Sequence, residues 1–223
     1  AQIHIYLGSL YVWTGAWERA RAVLDEALHA AERLDSAQLR RSAQYTACKR
    51  VAEEGSYLAA QAAIAAVLSA LEDSPRMQAG AHVYQGLSAL RHQLLDEASS
   101  AASRAVASHQ SPVIALASEA ITIIVAAQCG RPEGLLDATR ALEQAVARAG
   151  VLPEFDALVE LALVKGFAAV GECSRSDALL RTACARLETR AQTLADPVAR
   201  SHYTSRPYAH LRLFELAAKH HPG

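Results

Sequence analysis

The chain has 223 residues, 52% of them hydrophobic and 20% charged, with a formal net charge of -1. That balance carries no electrostatic footprint for nucleic acid or an anionic membrane surface, and it supplies enough apolar material for a continuous core. Aromatic residues make up only 5% and alanine dominates the apolar share, which favours close-packed helices over sheet.

The first 28 residues predict two antiparallel helices joined at Gly15. Gly8 and Ala20 stand where the two backbones approach. Leu7, Gly8 and Tyr11 face the partner helix, and Tyr11, Trp17 and Leu24 fill the space around the contact. Similar units recur along the chain, and such self-similarity at a few tens of residues marks a repeat array.

In the second unit Val51, Gly55, Tyr57, Ala60, Ile64, Val67 and Leu68 take the corresponding slots, and Asp73-Ser74-Pro75 ends its second helix because Pro forbids continuation. In the third, Gly86 and Ala98 form the close approach, with Leu95, Ala105 and Val106 as packing residues. Ser111-Pro112 opens the fourth, whose turn is Gly130-Arg131-Pro132 and whose second helix is lined by Leu135, Ala138, Leu142, Ala145 and Val146 and ended by Gly150. The fifth begins at Pro153, pairs Gly166 with Ala178, turns near Gly171 or Cys173, and offers Ser176-Asp177 as a cap. A final helix from Pro207 carries Leu211, Phe214, Ala217 and Ala218 on its apolar face. The units fall at about 1–36, 37–75, 76–111, 112–151 and 152–196, with a C-terminal cap at 197–223, all in one domain.

The spacing of Gly8, Tyr11, Gly15, Trp17, Ala20, Leu24 and Ala27 resembles the tetratricopeptide repeat, with His4 where that motif has its first aromatic. The resemblance implies an all-α, right-handed superhelix of about five hairpins with a capping helix. The stretch Leu187 to Arg200, followed by Tyr203, Arg206-Pro207, His210 and Leu216-Ala217, resembles the close of the helical-repeat region in large bacterial signalling proteins. In those a kinase or nucleotide-binding ATPase domain is joined to such an array. His202-Tyr203 and Arg206-Pro207 depart from the usual Phe-Leu and Val-Pro there. The chain opens in the middle of a motif and is expected to be an excised part of such a protein.

Catalytic signatures are missing from the sequence: no phosphate-binding glycine loop, nucleophile elbow, zinc-protease helix or kinase catalytic loop. The pairs Asp25-Glu26, Glu53-Glu54 and Asp96-Glu97 are adjacent, so their members diverge on a helix and read as solvated charge. His220-His221 belong to a fraying terminus. His82, His92 and Glu97 are the last candidates for catalysis. Cys48, Cys129, Cys173 and Cys184 form no C-x-x-C pair and read as small core residues in a reducing, cytoplasmic setting. The apolar run from Val113 to Cys129 is interrupted by Ser118, Glu119 and Thr122 and reads as a buried helix. No metal, cofactor or membrane is expected.

Function is expected to lie in binding. The first helices of tetratricopeptide hairpins line the concave surface, which assigns the groove to Ile5, Ser9, Val12, Trp13, Tyr45, Lys49, Glu53, Val83, Leu87, Arg91, Leu163 and Phe167. Trp13 is the sharpest of these, because the motif does not require it and exposed aromatics anchor interfaces. The set lacks the Lys and Asn clamp of C-terminal-peptide receptors. The leading expectation is a non-catalytic scaffold that binds a protein or peptide, or a second copy, in its groove. The alternative is a ligand- or peptide-sensing domain that gates an attached output domain. An open groove favours the first and a pinched pocket the second.

Overall fold

A computed structural model describes residues 1–71, 73–109, 111–150 and 154–220, with His220 described by its backbone alone. Among these residues the regular elements are twelve α-helices: α1 Gln2–Trp13, α2 Trp17–Arg33, α3 Ala37–Glu54, α4 Tyr57–Ala70, α5 Pro75–Arg91, α6 Leu95–Ser108, α7 Pro112–Gln128, α8 Leu135–Ala149, α9 Asp156–Ala169, α10 Cys173–Gln192, α11 Pro197–Ser205 and α12 Tyr208–His220. The fold is all-α, as expected. No helix among the described residues is long and apolar enough to cross a membrane.

Local chemistry sets many of the boundaries. The Ser36, Ser56 and Asp196 side chains accept hydrogen bonds from the backbone N–H groups of Leu39, Ala59 and Val198, satisfying donors that a helix start leaves free. Pro75, Pro112 and Pro197 occupy first turns, where the missing N–H costs nothing. Gly15 turns the chain between α1 and α2 at φ +71°, a left-handed conformation in which a Cβ would be strained. Asp35 and Gln93 make comparable turns without glycine, at φ 47° and 60°. Nothing in the repeat pattern pointed to them.

Each helix packs on the next in sequence, and α1, α3, α5, α7 and α9 also pack on one another in order. The odd helices therefore form one layer with neighbours on several sides, and the even helices form a second layer touching it along a stripe. Burial follows this division. Helices α5, α7 and α9 bury residues around most of their circumference, whereas α4 buries only Ala60, Ile64 and Val67. The run Val113 to Gln128 is accordingly a buried helix, within α7.

The ordered packing breaks after α10. Helix α12 folds back onto α9, α10 and α11, and its buried residues include Tyr208, His210 and Leu213. The apolar face expected from Leu211 to Ala218 is thus turned toward Leu213, and Ala218 is exposed.

Several packing assignments need correction. Helix α1 contacts both α2 and α3, so its buried face is Ile5, Gly8 and Val12, and Leu7 is exposed. A Cβ on Gly8 would lie 2.6 Å from Leu24 Cδ2, so the close approach is to Leu24. Gly166 meets Thr139 of α8, with Oγ1 2.4 Å from where its Cβ would be, and Ala178 is exposed. The register of α10 is set by buried Ser176, whose hydroxyl donates to the Val164 carbonyl at 2.9 Å; Ser176 is an interior residue and not a cap. Val106 is exposed because α6 buries Ala98, Ala101, Ala102 and Ala105. Gly55 has an ordinary φ of -82°. Cys48 and Cys184 are buried, but Cys129 and Cys173 lie at helix ends and are exposed. The assignments to Gln110, Pro153 and the residues after His220 lie outside the described residues.

Candidate functional site

The two ends of the helical array meet. Arg206, just after α11, donates to the Gly15 carbonyl at 3.1 Å and pairs with Glu18 at 2.9 Å. The missing side chain of Gly15 makes room for the His202 carbonyl, which would lie 2.8 Å from a Cβ there. Arg19 reaches Asp196 at 3.4 Å. The Trp13 ring stands edge-on to Tyr203 with centroids 5.7 Å apart. Trp17 is buried with the guanidinium groups of Arg91 and Arg206 over its ring, an arrangement in which the ring quadrupole attracts the cations.

This closure leaves a cavity of about 350 Å³ between the odd-helix layer and the C-terminal helices, at the small end of the range for small-molecule sites. Helix α1 contributes Tyr6, Ser9, Leu10, Val12 and Trp13, α3 contributes Lys49 and Glu53, and α5 contributes Tyr84 and Leu87. The far wall is Glu154, Phe155, Asp156, Ala157 and Leu158 at the start of α9, with Pro207, Ala209 and His210 closing it.

Of the twelve residues assigned to the groove from sequence, Ser9, Val12, Trp13, Lys49, Glu53 and Leu87 converge on this cavity. Tyr45 lies beneath Lys49, whose ammonium sits 4.5 Å from its ring centroid. Arg91 donates to the Glu53 carbonyl and stacks on Trp17. The other four are packed inside. Ile5 is buried among residues that include Ala27 and Ala43, and Val83, Leu163 and Phe167 belong to the main core.

The polar groups on the cavity wall are paired with one another. The buried Lys49 bonds Glu154, and the Tyr84 hydroxyl donates to the same carboxylate oxygen at 2.9 Å. The Asp156 carboxylate accepts the Ala157 N–H at 2.7 Å and is bridged by Arg186 and Arg190, with Arg186 also reaching Glu160. Glu53 accepts the Tyr208 N–H at 3.0 Å. Burial raises its carboxyl above the usual range, partly offset by that hydrogen bond and by Arg91. Burial also holds His210 at about 4, although its Nδ1 lies 2.7 Å from the Tyr203 carbonyl. The same effect raises the Tyr84 and Tyr45 hydroxyls.

His82, His92 and Glu97 do not assemble into such a site. His82 bonds Gln85 at 3.1 Å, His92 bonds its own helix through the Ser88 carbonyl at 2.8 Å, and Glu97 is exposed.

The cavity residues not foreseen are Tyr6, Leu10, Tyr84, the Glu154–Leu158 segment, Pro207, Ala209 and His210. Arg186 and Arg190, one turn apart on a predicted helix, were the available hint of a buried acid partner. Nothing local in the sequence indicated that α11 and α12 would return to α1. Comparison with family models, with curated proteins and with solved structures gives no match.

Proposed function

We propose that this chain is a ligand-binding, tetratricopeptide-like repeat domain of a cytoplasmic bacterial signalling protein, which takes a small ligand into the cavity under its C-terminal helices and couples occupancy to an attached output domain. One observation carries the reading. Six residues assigned to the concave face from sequence line one cavity, and its far wall, Glu154 to Leu158, comes from at least 67 residues further along the chain. Binding would join α1, α3, α5, α9 and α12, so the ligand would stabilise the closed array over an opened one. The wall is mainly apolar, with Val12, Trp13, Leu87, Phe155 and Leu158, and its charged groups already have partners. That suits recognition better than catalysis.

The test uses 1-decanol as a neutral apolar probe and calorimetric titration with intrinsic tryptophan emission as readouts. The wild-type chain is expected to take it up with a change in Trp13 emission. Ala209→Phe, which fills the cavity from a half-buried position, is expected to abolish uptake while keeping the helical spectrum. Equal uptake by both chains, or none by either, would overturn the reading.

A scaffold function, the leading expectation from sequence, retains one observation in its favour. Ile3, Tyr6, Leu7 and Leu10 expose an apolar stripe along α1 at helical spacing, with Ile3 72% and Tyr6 68% exposed, the pattern by which one helix docks on another. The same titration series distinguishes the readings, because a partner held on that stripe would be insensitive to Ala209→Phe.

A further inference from the structure

Lys49 is an unusual residue for the inner layer of a helical array. It is only 8% exposed, and lysine is almost never so buried without a partner. Its ammonium lies 4.5 Å from the centroid of Tyr45 and 5.4 Å from that of Tyr84, two rings that stabilise the cation without discharging it. The counter-charge comes from Glu154, whose side chain is 41% exposed and reaches in from the turn before α9. The Tyr84 hydroxyl donates to the same oxygen that Lys49 holds. Two donors on rigid helices, α3 and α5, thus converge on one point of the cavity wall. The acceptor there is supplied by a residue outside any helix.

With Glu154 set aside, Asp156 keeps its pairs with Arg186 and Arg190, and Glu53 keeps the hydrogen bond from the Tyr208 N–H. Lys49 then loses its bonded carboxylate, and it is buried. A buried ammonium without an anion is strongly disfavoured, so whatever removes Glu154 must bring a negative charge of its own. The wall beside the seat includes Leu10, Val12, Leu87, Phe155 and Leu158, and the lining carboxylates Glu53 and Asp156 are held by the Tyr208 N–H and by Arg186 and Arg190.

We propose that Lys49 and the Tyr84 hydroxyl form an anion seat, that Glu154 is its internal occupant, and that the cavity's ligand is a small free carboxylic acid with an apolar body, whose carboxylate displaces Glu154. This rests on the cavity being a ligand site, as above. The free acid is chosen over a peptide terminus because about 350 Å³ is at the small end of ligand cavities and matches a short molecule. The internal carboxylate acts as a competitor. Apparent affinity is the intrinsic affinity reduced by the fraction of molecules whose seat is open. Removing the competitor tightens binding, and removing the seat abolishes the preference for an acid.

The experiment titrates decanoate, 1-decanol and trileucine into the wild-type chain and into Glu154→Ala, Lys49→Met and Tyr84→Phe. Glu154→Ala is expected to bind decanoate about tenfold more tightly than the wild type, with 1-decanol unchanged. Lys49→Met is expected to bind decanoate no better than 1-decanol. Tyr84→Phe keeps the ring beneath Lys49, so it tests the seat even if Lys49→Met fails to fold. It is expected to lose about fivefold for decanoate alone. Unchanged or weaker decanoate binding in Glu154→Ala, or undiminished acid preference in Tyr84→Phe, would overturn the seat. Trileucine binding more tightly than decanoate would overturn the ligand class. In each of these cases 1-decanol uptake and its loss in Ala209→Phe would leave the cavity reading standing, so the two failures are separable.

Discussion

The first two hairpins and the rest of the molecule are held together in different ways. From Ala52 in α3 to Leu213 in α12 the buried residues form one connected core that includes Tyr84, Ile121, Phe167 and Leu187. The buried residues of α1 to α4 other than Ala52 fall mainly into three small groups, around Ile64, Ile5 and Leu24. Yet the repeat pattern is clearest in the first hairpin and faintest in the last. Motif fidelity and core continuity therefore run in opposite directions. A motif records how one hairpin closes on itself, whereas a continuous core depends on large side chains that bridge hairpins. Stability draws on both kinds of contact, and here the bridging kind is concentrated away from the end with the better motif.

The largest expected effect tests this division directly. Phe167→Ala removes a fully buried ring from the main core and is expected to cost about 3–5 kcal/mol in urea unfolding, with loss of cooperativity throughout. Ile64→Ala, also fully buried, is expected to cost about 2–4 kcal/mol. Hydrogen exchange should show that loss confined to α1–α4. Equal spread of the two effects along the chain would abolish the distinction between the regions.

The next effect depends on pH. His210 is held at about 4 by burial, against an ordinary value of 6.5, with Tyr203, Asp156, Arg186 and Arg190 the groups that face it. Its folded value is depressed, so protons bind the unfolded chain more readily. The stability it leaves intact above pH 6.5 is lost as the pH falls toward 4, by up to about 3 kcal/mol. His210→Gln is expected to flatten that interval of the urea midpoint profile. In the wild type, exchange protection should fail first in α11 and α12.

A smaller effect comes from Gly8→Ala. The new methyl would press on the Leu24 side chain, and overpacking of this kind costs about 1–3 kcal/mol. The cost should shrink when Leu24 is also shortened to Ala, which a double-mutant cycle would reveal as coupling between the two sites. The smallest belongs to the seam. Arg206→Ala removes the exposed pair with Glu18 and the bond to the Gly15 carbonyl, for about 0.5–1 kcal/mol that salt should diminish. Arg206 lowers the Glu18 carboxyl, chiefly through their hydrogen bond, so the pair's contribution is present above the ordinary carboxylate range and fades as acid protonates Glu18.

Local patterns in the sequence revealed the helices because helix starts and stops are local chemistry. Pro75, Pro112 and Gly150 each act within a turn of where they stand. Half of the groove assignment converged on the cavity for a related reason: Ser9, Val12, Trp13, Lys49, Glu53 and Leu87 sit on helices that pack side by side in order. The remainder depended on rotation. Shared packing of α1 between α2 and α3 brought Ile5 inward and put Leu7 outside, and close crowding of α5, α7 and α9 buried Val83, Leu163 and Phe167. Such rotations of a fraction of a turn depend on third helices that a two-helix motif does not describe. The cavity's far wall was illegible because Glu154, Pro207 and His210 are brought to α1 only by long-range closure.

That closure also has a kinetic meaning. The Arg206 bond to Gly15 joins residues 191 positions apart, whereas the contacts within each hairpin are local. Local contacts form first, and those that must await chain closure form late. The last step of folding would then be the docking of α11 onto the α1–α2 turn. Run in reverse, the same step would be a local opening of the native state. The cavity would open and close by the motion that completes the fold, so the rate at which ligand enters and the rate at which the ends of the array part should be one and the same rate.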